Sequence, residues 1–420
     1  MAERLHAEDS SFFYLNATQF MGALNDNIFK LLIIFSIINI AGAESAGKVT
    51  AVVGMVFVLP FLLFTPVAGV ITDRISKRAI IIAVKCWEII IMATGIIAFY
   101  LHLPMMEYIV LFMMSMQSAF FGPSKYGIIP ELVEEKDLSR ANSYIVTFTF
   151  LAIILGSFLG PFLSDMLDGT HYKAAFFCLL VAVAGAICSF MIRKHPLPQP
   201  DKLTPLYRFD SIFTILYTYR HQRTLMFSVV ASMYFYFIGA FMQLNLIPYG
   251  MEILGLTQEK SGYLFLVAAV GIGIGSVIAG KFSKGRIEFG LIPVGAMGLA
   301  GSIIGLSVVV YPWGILSLVL SAGISSGIFI VPIQAYIQYK SPAVHRGKII
   351  AASGFMGWIG ILAASLCLYF LRETAGVSSA KSFMPLGILT ITLGIFMIRL
   401  FPQFIRDTKN MLTQMFTHQT

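Results

Sequence analysis

Charge is scarce in this chain: Asp, Glu, Lys and Arg make up only 12% of its 420 residues. A soluble domain carries about twice that share, so water is not the main solvent of this surface. Cysteine is also scarce. Cys86, Cys178, Cys188 and Cys367 all fall inside apolar runs without CxxC or Cys/His spacing, which excludes a disulfide framework and a zinc site and leaves packing as their role. Enzyme signatures are missing as well. There is no GxSxG, no GxxxxGK[ST] to drive work with ATP, and the histidines are scattered through loops and tails, so neither a catalytic constellation, a metal nor a cofactor is expected. The net charge of +8 sits in connecting loops, which argues against nucleic acid as its partner. The first apolar run starts late, carries Asp26 and Lys30 and lacks a small-residue cleavage site, so no removed signal peptide is expected.

What the chain has is apolar length. Hydrophobic residues reach 57% and mean hydropathy is +0.82. The runs are about twenty residues long, enough for an α-helix to cross a hydrocarbon core of about 30 Å. Stretches such as Val52 to Ile71 are apolar on every face, which excludes the alternating pattern of a membrane barrel. Twelve spans are predicted, near 12–40, 51–72, 79–101, 107–122, 141–163, 173–192, 224–248, 261–280, 289–310, 314–338, 349–371 and 381–401. The fold class is therefore an all-α membrane protein. Arg74, Lys77, Arg78, Arg193, Lys194, Lys281, Lys284 and Arg286 collect on one side, against Lys48, Lys173, Lys260, Arg372 and Lys381 on the other. Basic residues stay in the cytoplasm, so both termini are expected there.

The longest loop divides the chain into a six-helix bundle at 1–192, a cytoplasmic linker at 193–223, and a second bundle with a short tail at 224–420. In the linker, Phe209, Ile212, Phe213, Leu216 and Tyr219 recur at helical spacing beside Arg208, Arg220 and Arg223, as in a helix lying on the membrane surface. An internal repeat relates the halves. Gly69-Val-Ile-Thr-Asp-Arg-Ile-Ser-Lys-Arg78 aligns with Ser276-Val-Ile-Ala-Gly-Lys-Phe-Ser-Lys-Gly285, each after the second span of its half, and Pro123 matches Pro332. Halves related in this way enclose a midplane site and rock about it.

The segment with Gly69, Asp73, Arg74, Lys77 and Arg78 resembles the Gly-x-x-x-Asp-Arg-x-Gly-Arg-Arg signature of the major facilitator superfamily, with Ser76 at the second glycine. A small residue at 69 lets helices approach, and Asp73 can meet the positive N-terminus of the helix opening near Lys348, as a gating contact. Asp26 lies midway along the first span, roughly 20 Å deep, where an isolated carboxylate costs about 2.5 to 3.5 kcal/mol. It should face a cavity or a partner. Lys30, one turn on, is a candidate partner, and Asn25 and Asn27 add polar atoms that favour a cavity. Lys85 and Glu88 read as a structural pair near the cytoplasmic end of the third span, with Lys85 reaching the interface. Gln19, Gln117, Asn142, Gln243, Asn245, Gln334 and Gln338 are uncharged candidates for lining a path.

Four segments together resemble the bacterial lysophospholipid transporter family, some of whose members are fused to an acyltransferase. They are Thr18-Gln-Phe-Met-Gly-Ala-Leu-Asn-Asp-Asn-Ile-Phe-Lys30, Gly122-Pro-Ser-Lys-Tyr-Gly-Ile-Ile-Pro-Glu131, Arg140-Ala-Asn142 and Val331-Pro-Ile-Gln-Ala-Tyr-Ile-Gln338. The resemblance implies two pseudo-symmetric six-helix bundles in the bacterial inner membrane. It also implies flipping of lysophospholipids, chiefly lysophosphatidylethanolamine, from the outer to the inner leaflet for reacylation. Asp26 matches the family's first-helix carboxylate and would meet the cargo's ammonium group or gate, while Lys30 or Lys125 would meet its phosphate. The implied partners are membrane lipids, the lysophospholipid and an acyltransferase, with the transporter itself a monomer. The seventh span departs from the family, which carries a buried basic and acidic pair there. Leu225 to Pro248 is uncharged, and Gln243 and Asn245 are its polar substitutes. The competing expectation is a proton-linked exporter of drugs or small metabolites with Asp26 as the proton carrier, and a third is a membrane sensor that transports nothing.

Overall fold

The structure is a computed structural model that describes residues 2–42, 46–167, 169–193, 211–256, 258–283 and 287–400, with residues 406 and 408. The Pro-rich part of the linker from 194, Arg208, Phe209, Lys284 and Arg286 lie outside the described residues. Helices dominate and no strand occurs among the described residues. In chain order they are α1 (Ala2–Ala41), α2 (Ala46–Arg74), α3 (Lys77–Tyr100), α4 (Pro104–Leu132), α5 (Leu138–Met166), α6 (His171–Phe190) and the short α7 (Ser211–Thr218). Then follow α8 (Arg223–Leu254), α9 (Gln258–Phe282), α10 (Leu291–Val308), α11 (Pro312–Lys340), α12 (Arg346–Tyr369) and α13 (Ser379–Leu400). Twelve of them are long and apolar enough to cross a membrane, and α7 is the exception.

The fourth span differs most from its expected length. It is expected to end at 122, yet α4 runs through Pro123 and Pro130 to Leu132. Proline inside a membrane helix is tolerated where neighbouring helices and hydroxyls meet the freed backbone groups. Ser124 Oγ, beside Pro123, bonds the carbonyl of Phe120 at 3.3 Å and lies 3.1 Å from Thr72 Oγ1 of α2. The linker helix also forms: among the described residues α7 buries Ile212 and Ile215 and exposes Phe213 and Tyr217.

Two compact units emerge. The first comprises Met1–Glu134, Leu151–Met226 and Lys340–Phe355, and the second Glu135–Phe150, Phe227–Tyr339 and Met356–Thr420. Each unit has its own apolar core. In the first, the tilted rings of Phe29 and Phe99 lie 5.3 Å apart among Met92, Met114 and Cys178. In the second, Tyr249 meets Phe383 edge-on at 5.4 Å beside Phe241 and Ile303. Lipid drives no helix association by itself, so close packing of small residues takes over. On α9 and α11, Gly271 and Gly323 bring backbones so near that a Cβ at Gly271 would lie 2.9 Å from Gly323 Cα. Two helices divide between the units well inside their length, while α8 and α11 cross only at an end. α5 opens in the second and continues in the first, and α12 does the reverse.

Candidate functional site

In the first unit, α1, α3 and α4 converge on a polar cluster inside otherwise apolar helices. Asp26 is half-buried, and its Oδ2 accepts a hydrogen bond from Ser118 Oγ of α4 at 2.8 Å. Ser118 in turn accepts from Gln117 Nε2 at 3.1 Å. Asp26 Oδ1 has no hydrogen-bond partner among the described residues. Lys30 does not pair with Asp26 as its spacing suggested: its ammonium lies over the Phe57 ring, 5.0 Å from the centroid. It remains one turn away within electrostatic reach, as do Lys85 and Glu88. Lys125, also half-buried, stands over Tyr126 at 4.7 Å and Phe121 at 5.7 Å. A cation over an aromatic face keeps some stabilisation without a counter-ion, so both amines are held while still able to meet an anion.

Lys85 and Glu88 correct the sequence reading. Lys85 does not reach an interface. It is 1% exposed and Glu88 0%, and they form an ion pair at 2.5 Å across one turn of α3. Glu88 Oε1 also accepts from Asn25 Nδ2 at 2.9 Å, so the pair is tied to the residue beside Asp26. Gly22 makes room for the lysine, since any Cβ there would collide with its ammonium. The i, i+3 spacing of opposite charges was the visible signal for this pair. Ser118 carried none.

The remaining sequence candidates separate by environment. Asn27 is half-buried and bonds its own helix at the carbonyl of Ala23, 2.8 Å away, and Gln19 is buried with Nε2 on Asn16 Oδ1 at 3.1 Å. In the second unit, Gln243 is exposed on α8, and Gln334 is half-buried with Nε2 on Ser232 Oγ at 3.2 Å. Asn245 is fully buried and donates to the carbonyl of Ser379 at 2.8 Å. Asn142 and Gln338 are fully buried and bond each other.

The gating candidates form a second constellation in the first unit, at the opening of α12. Asp73 Oδ1 accepts from the backbone N–H of Gly347 at 2.6 Å and Oδ2 from that of Lys348 at 3.0 Å. Those amides belong to the unsatisfied first turn of a helix, where a carboxylate also meets the positive end of the dipole. Lys77 pairs with Glu131 at 2.6 Å, and Arg78 caps the end of α6 through the carbonyls of Ile192 and, at 2.8 Å, Phe190. Arg74 Nε finds no partner among the described residues. Tyr219, after α7, meets His345 Nδ1 at 2.9 Å, and burial with Asp73 nearby pushes its phenol above the usual range, so it stays a neutral hydroxyl. Gly69 is what lets α12 come this close. A Cβ there would fall 2.5 Å from Ala351 Cβ and 3.2 Å from the carbonyl of Gly347. Gly69→Val is therefore expected to lift the opening of α12 from Asp73, measured as faster hydrogen–deuterium exchange over residues 346–355. Unchanged exchange there would contradict the close approach.

The Major Facilitator Superfamily profile matches residues 15–365, most of the chain. The chain belongs to that superfamily. It is thus a multi-pass membrane transporter rather than an enzyme. Curated relatives include the lysophospholipid transporter LplT of Photorhabdus laumondii, 28% identical over 80% of this chain and 84% of its own. That of Enterobacter sp. (strain 638) is 27% identical over 86% and 89%. Among solved superfamily structures, the transporter FucP in its outward conformation superposes with a TM-score of 0.72 at 16% identity, over 92% of this chain and 97% of that one. A bacterial homologue of the iron transporter ferroportin, in an outward-facing state, gives 0.70 at 14% identity, over 94% and 99%. At such identities these structures speak for the superfamily fold alone.

Proposed function

We propose that this transporter flips lysophospholipids of the lysophosphatidylethanolamine type from the outer to the inner leaflet of a bacterial inner membrane, by alternating access, for reacylation there. Both termini are cytoplasmic in this reading, the transporter acts as a monomer, and an acyltransferase consumes what it delivers. The relatives named as lysophospholipid transporters, matched over most of both chains, support the cargo class.

The observation that carries the reading is a carboxylate with a free oxygen, Asp26, on a half-buried helix face with two amines near it, Lys30 and Lys125. A zwitterionic head group needs both signs at once. Asp26 receives the ammonium through Oδ1, while Lys125 or Lys30 gives up its aromatic contact to meet the phosphate. The acyl chain needs no polar partner and lies against the Phe- and Met-bearing helix surfaces or the surrounding lipid.

The test presents labelled lysolipids of several head groups to spheroplasts that lack their own flippase and retain the acyltransferase. Lysophosphatidylethanolamine is expected to appear as diacyl phospholipid, and a lysolipid lacking the ammonium to do so more slowly. If this chain supports no reacylation of any lysolipid, the cargo assignment fails. An uncoupler should leave flipping down a lipid gradient intact, and arrest by the uncoupler would favour proton coupling instead.

A further inference from the structure

α5 and α12 both divide between the compact units, each with more than two opening turns in one unit and the rest in the other. The opening of α12 is held in the first unit by Asp73. The opening of α5, Leu138 to Phe150, is held in the second unit by different chemistry. Asn142 Nδ2 donates to Gln338 Oε1 at 2.8 Å, and Gln338 Nε2 donates to Asn142 Oδ1 at 2.8 Å. Asn142 is 0% exposed and Gln338 1%. One turn further, Thr147 Oγ1 lies 2.6 Å from Ser276 Oγ of α9.

The internal repeat shows why this contact uses amides. Ser276 aligns with Gly69, and Gly280 aligns with Asp73. Where the first half has a carboxylate, the second has no side chain, and α5 closes into that space: a Cβ at Gly280 would lie 2.7 Å from Ser143 Cβ. No acid remains to hold the first turn of α5. The reciprocal amide pair takes over, using a donor and an acceptor on each side.

We propose that Asn142 and Gln338 are positioning residues for transport, forming an uncharged latch that parts and re-forms in every cycle. The proposal rests on alternating access, not on the identity of the cargo. Buried in a membrane protein, two amides facing each other are satisfied, whereas either one alone leaves polar atoms without partners. The pair therefore favours the docked state of the α5 opening. It carries no net charge, so parting it strands no ion, and water entering from the cytoplasm can replace both bonds. The Asp73 contact differs in that it is charged and one-sided, so the two latches answer to different perturbations. Salt or protonation would weaken the first and leave the amide pair untouched.

The experiment introduces Asn142→Cys and Gln338→Cys into the full chain lacking its four native cysteines. A short bis-methanethiosulfonate reagent bridges them. The bridged protein is expected to lose reacylation by about tenfold or more, the effect of pinning one of two states, and to regain it on reduction. Transport by the bridged protein at the unbridged rate overturns the latch. Hydrogen–deuterium exchange needs no cargo: bridging is expected to slow exchange over residues 138–150, and equal exchange with and without the bridge overturns the latch independently. Were no protein in the series, bridged or not, to support reacylation while exchange still responded, the cargo reading would fail and the latch would stand. The swap Asn142→Gln with Gln338→Asn keeps an amide on each side and is expected to restore activity lost in Gln338→Leu. A swap no better than Gln338→Leu would also contradict the latch.

Discussion

Asp26→Asn is expected to abolish most lysophosphatidylethanolamine reacylation without changing the amount of folded protein in the membrane. Asparagine has nearly the same shape and can still accept the Ser118 hydrogen bond, so the α1–α4 contact survives. What disappears is, among the described residues of that half-buried face, the negative charge left to receive an ammonium group, because Glu88 is already engaged by Lys85 and Asn25. Removing one partner of a desolvated charge pair costs about 2 to 5 kcal/mol, at the lower end about a 30-fold loss in apparent affinity. The loss should appear as a raised KM for the zwitterionic lysolipid and be much smaller for a head group without an ammonium. An unchanged KM would remove Asp26 from the binding site.

The largest stability effect is expected at Glu88. Glu88→Ala leaves the Lys85 ammonium buried at 1% exposure with its ion-pair partner gone, a class of change worth about 3 to 5 kcal/mol. The double change Lys85→Met with Glu88→Leu removes both charges and fills similar volume, which is often neutral for stability. Thermal unfolding in detergent should therefore show Glu88→Ala melting well below the parent and the double variant close to it. If the single and double variants melt together, a stranded Lys85 charge is not what costs Glu88→Ala its stability. The double variant also separates roles, since it keeps the packing while removing the anchor that holds Asn25, next to Asp26.

Much of the fold was legible because lipid leaves few choices. Runs of about twenty apolar residues located all twelve spans. The spacing of Gly69 and Asp73 anticipated both the close approach of helices and the meeting of Asp73 with the amides near Lys348. The fourth span was the least legible boundary: expected to end at 122, its helix runs through Pro123 and Pro130 to Leu132, since a membrane helix tolerates proline where surrounding groups meet the freed backbone.

The polar cluster was only half visible. A carboxylate at mid-span announces itself, so Asp26 was found, but helical spacing suggested Lys30 as its partner when the partner is Ser118, distant in sequence. Lys85 was assigned to the interface because long side chains can reach it, whereas Glu88 one turn away holds it inward. Asn142 and Gln338 were seen only as separate polar residues. Their pairing joins positions 196 apart in the chain, and no periodicity reports a contact of that kind.

Flipping itself can be measured in proteoliposomes holding only this protein, with fluorescent lysophosphatidylethanolamine added to the outer leaflet and albumin used to extract whatever remains there. The fraction protected from extraction should rise faster than in protein-free vesicles, and Asp26→Asn should return it to the protein-free rate. Equal protection in vesicles with the parent protein, with Asp26→Asn and with no protein would contradict lysophospholipid flipping through Asp26.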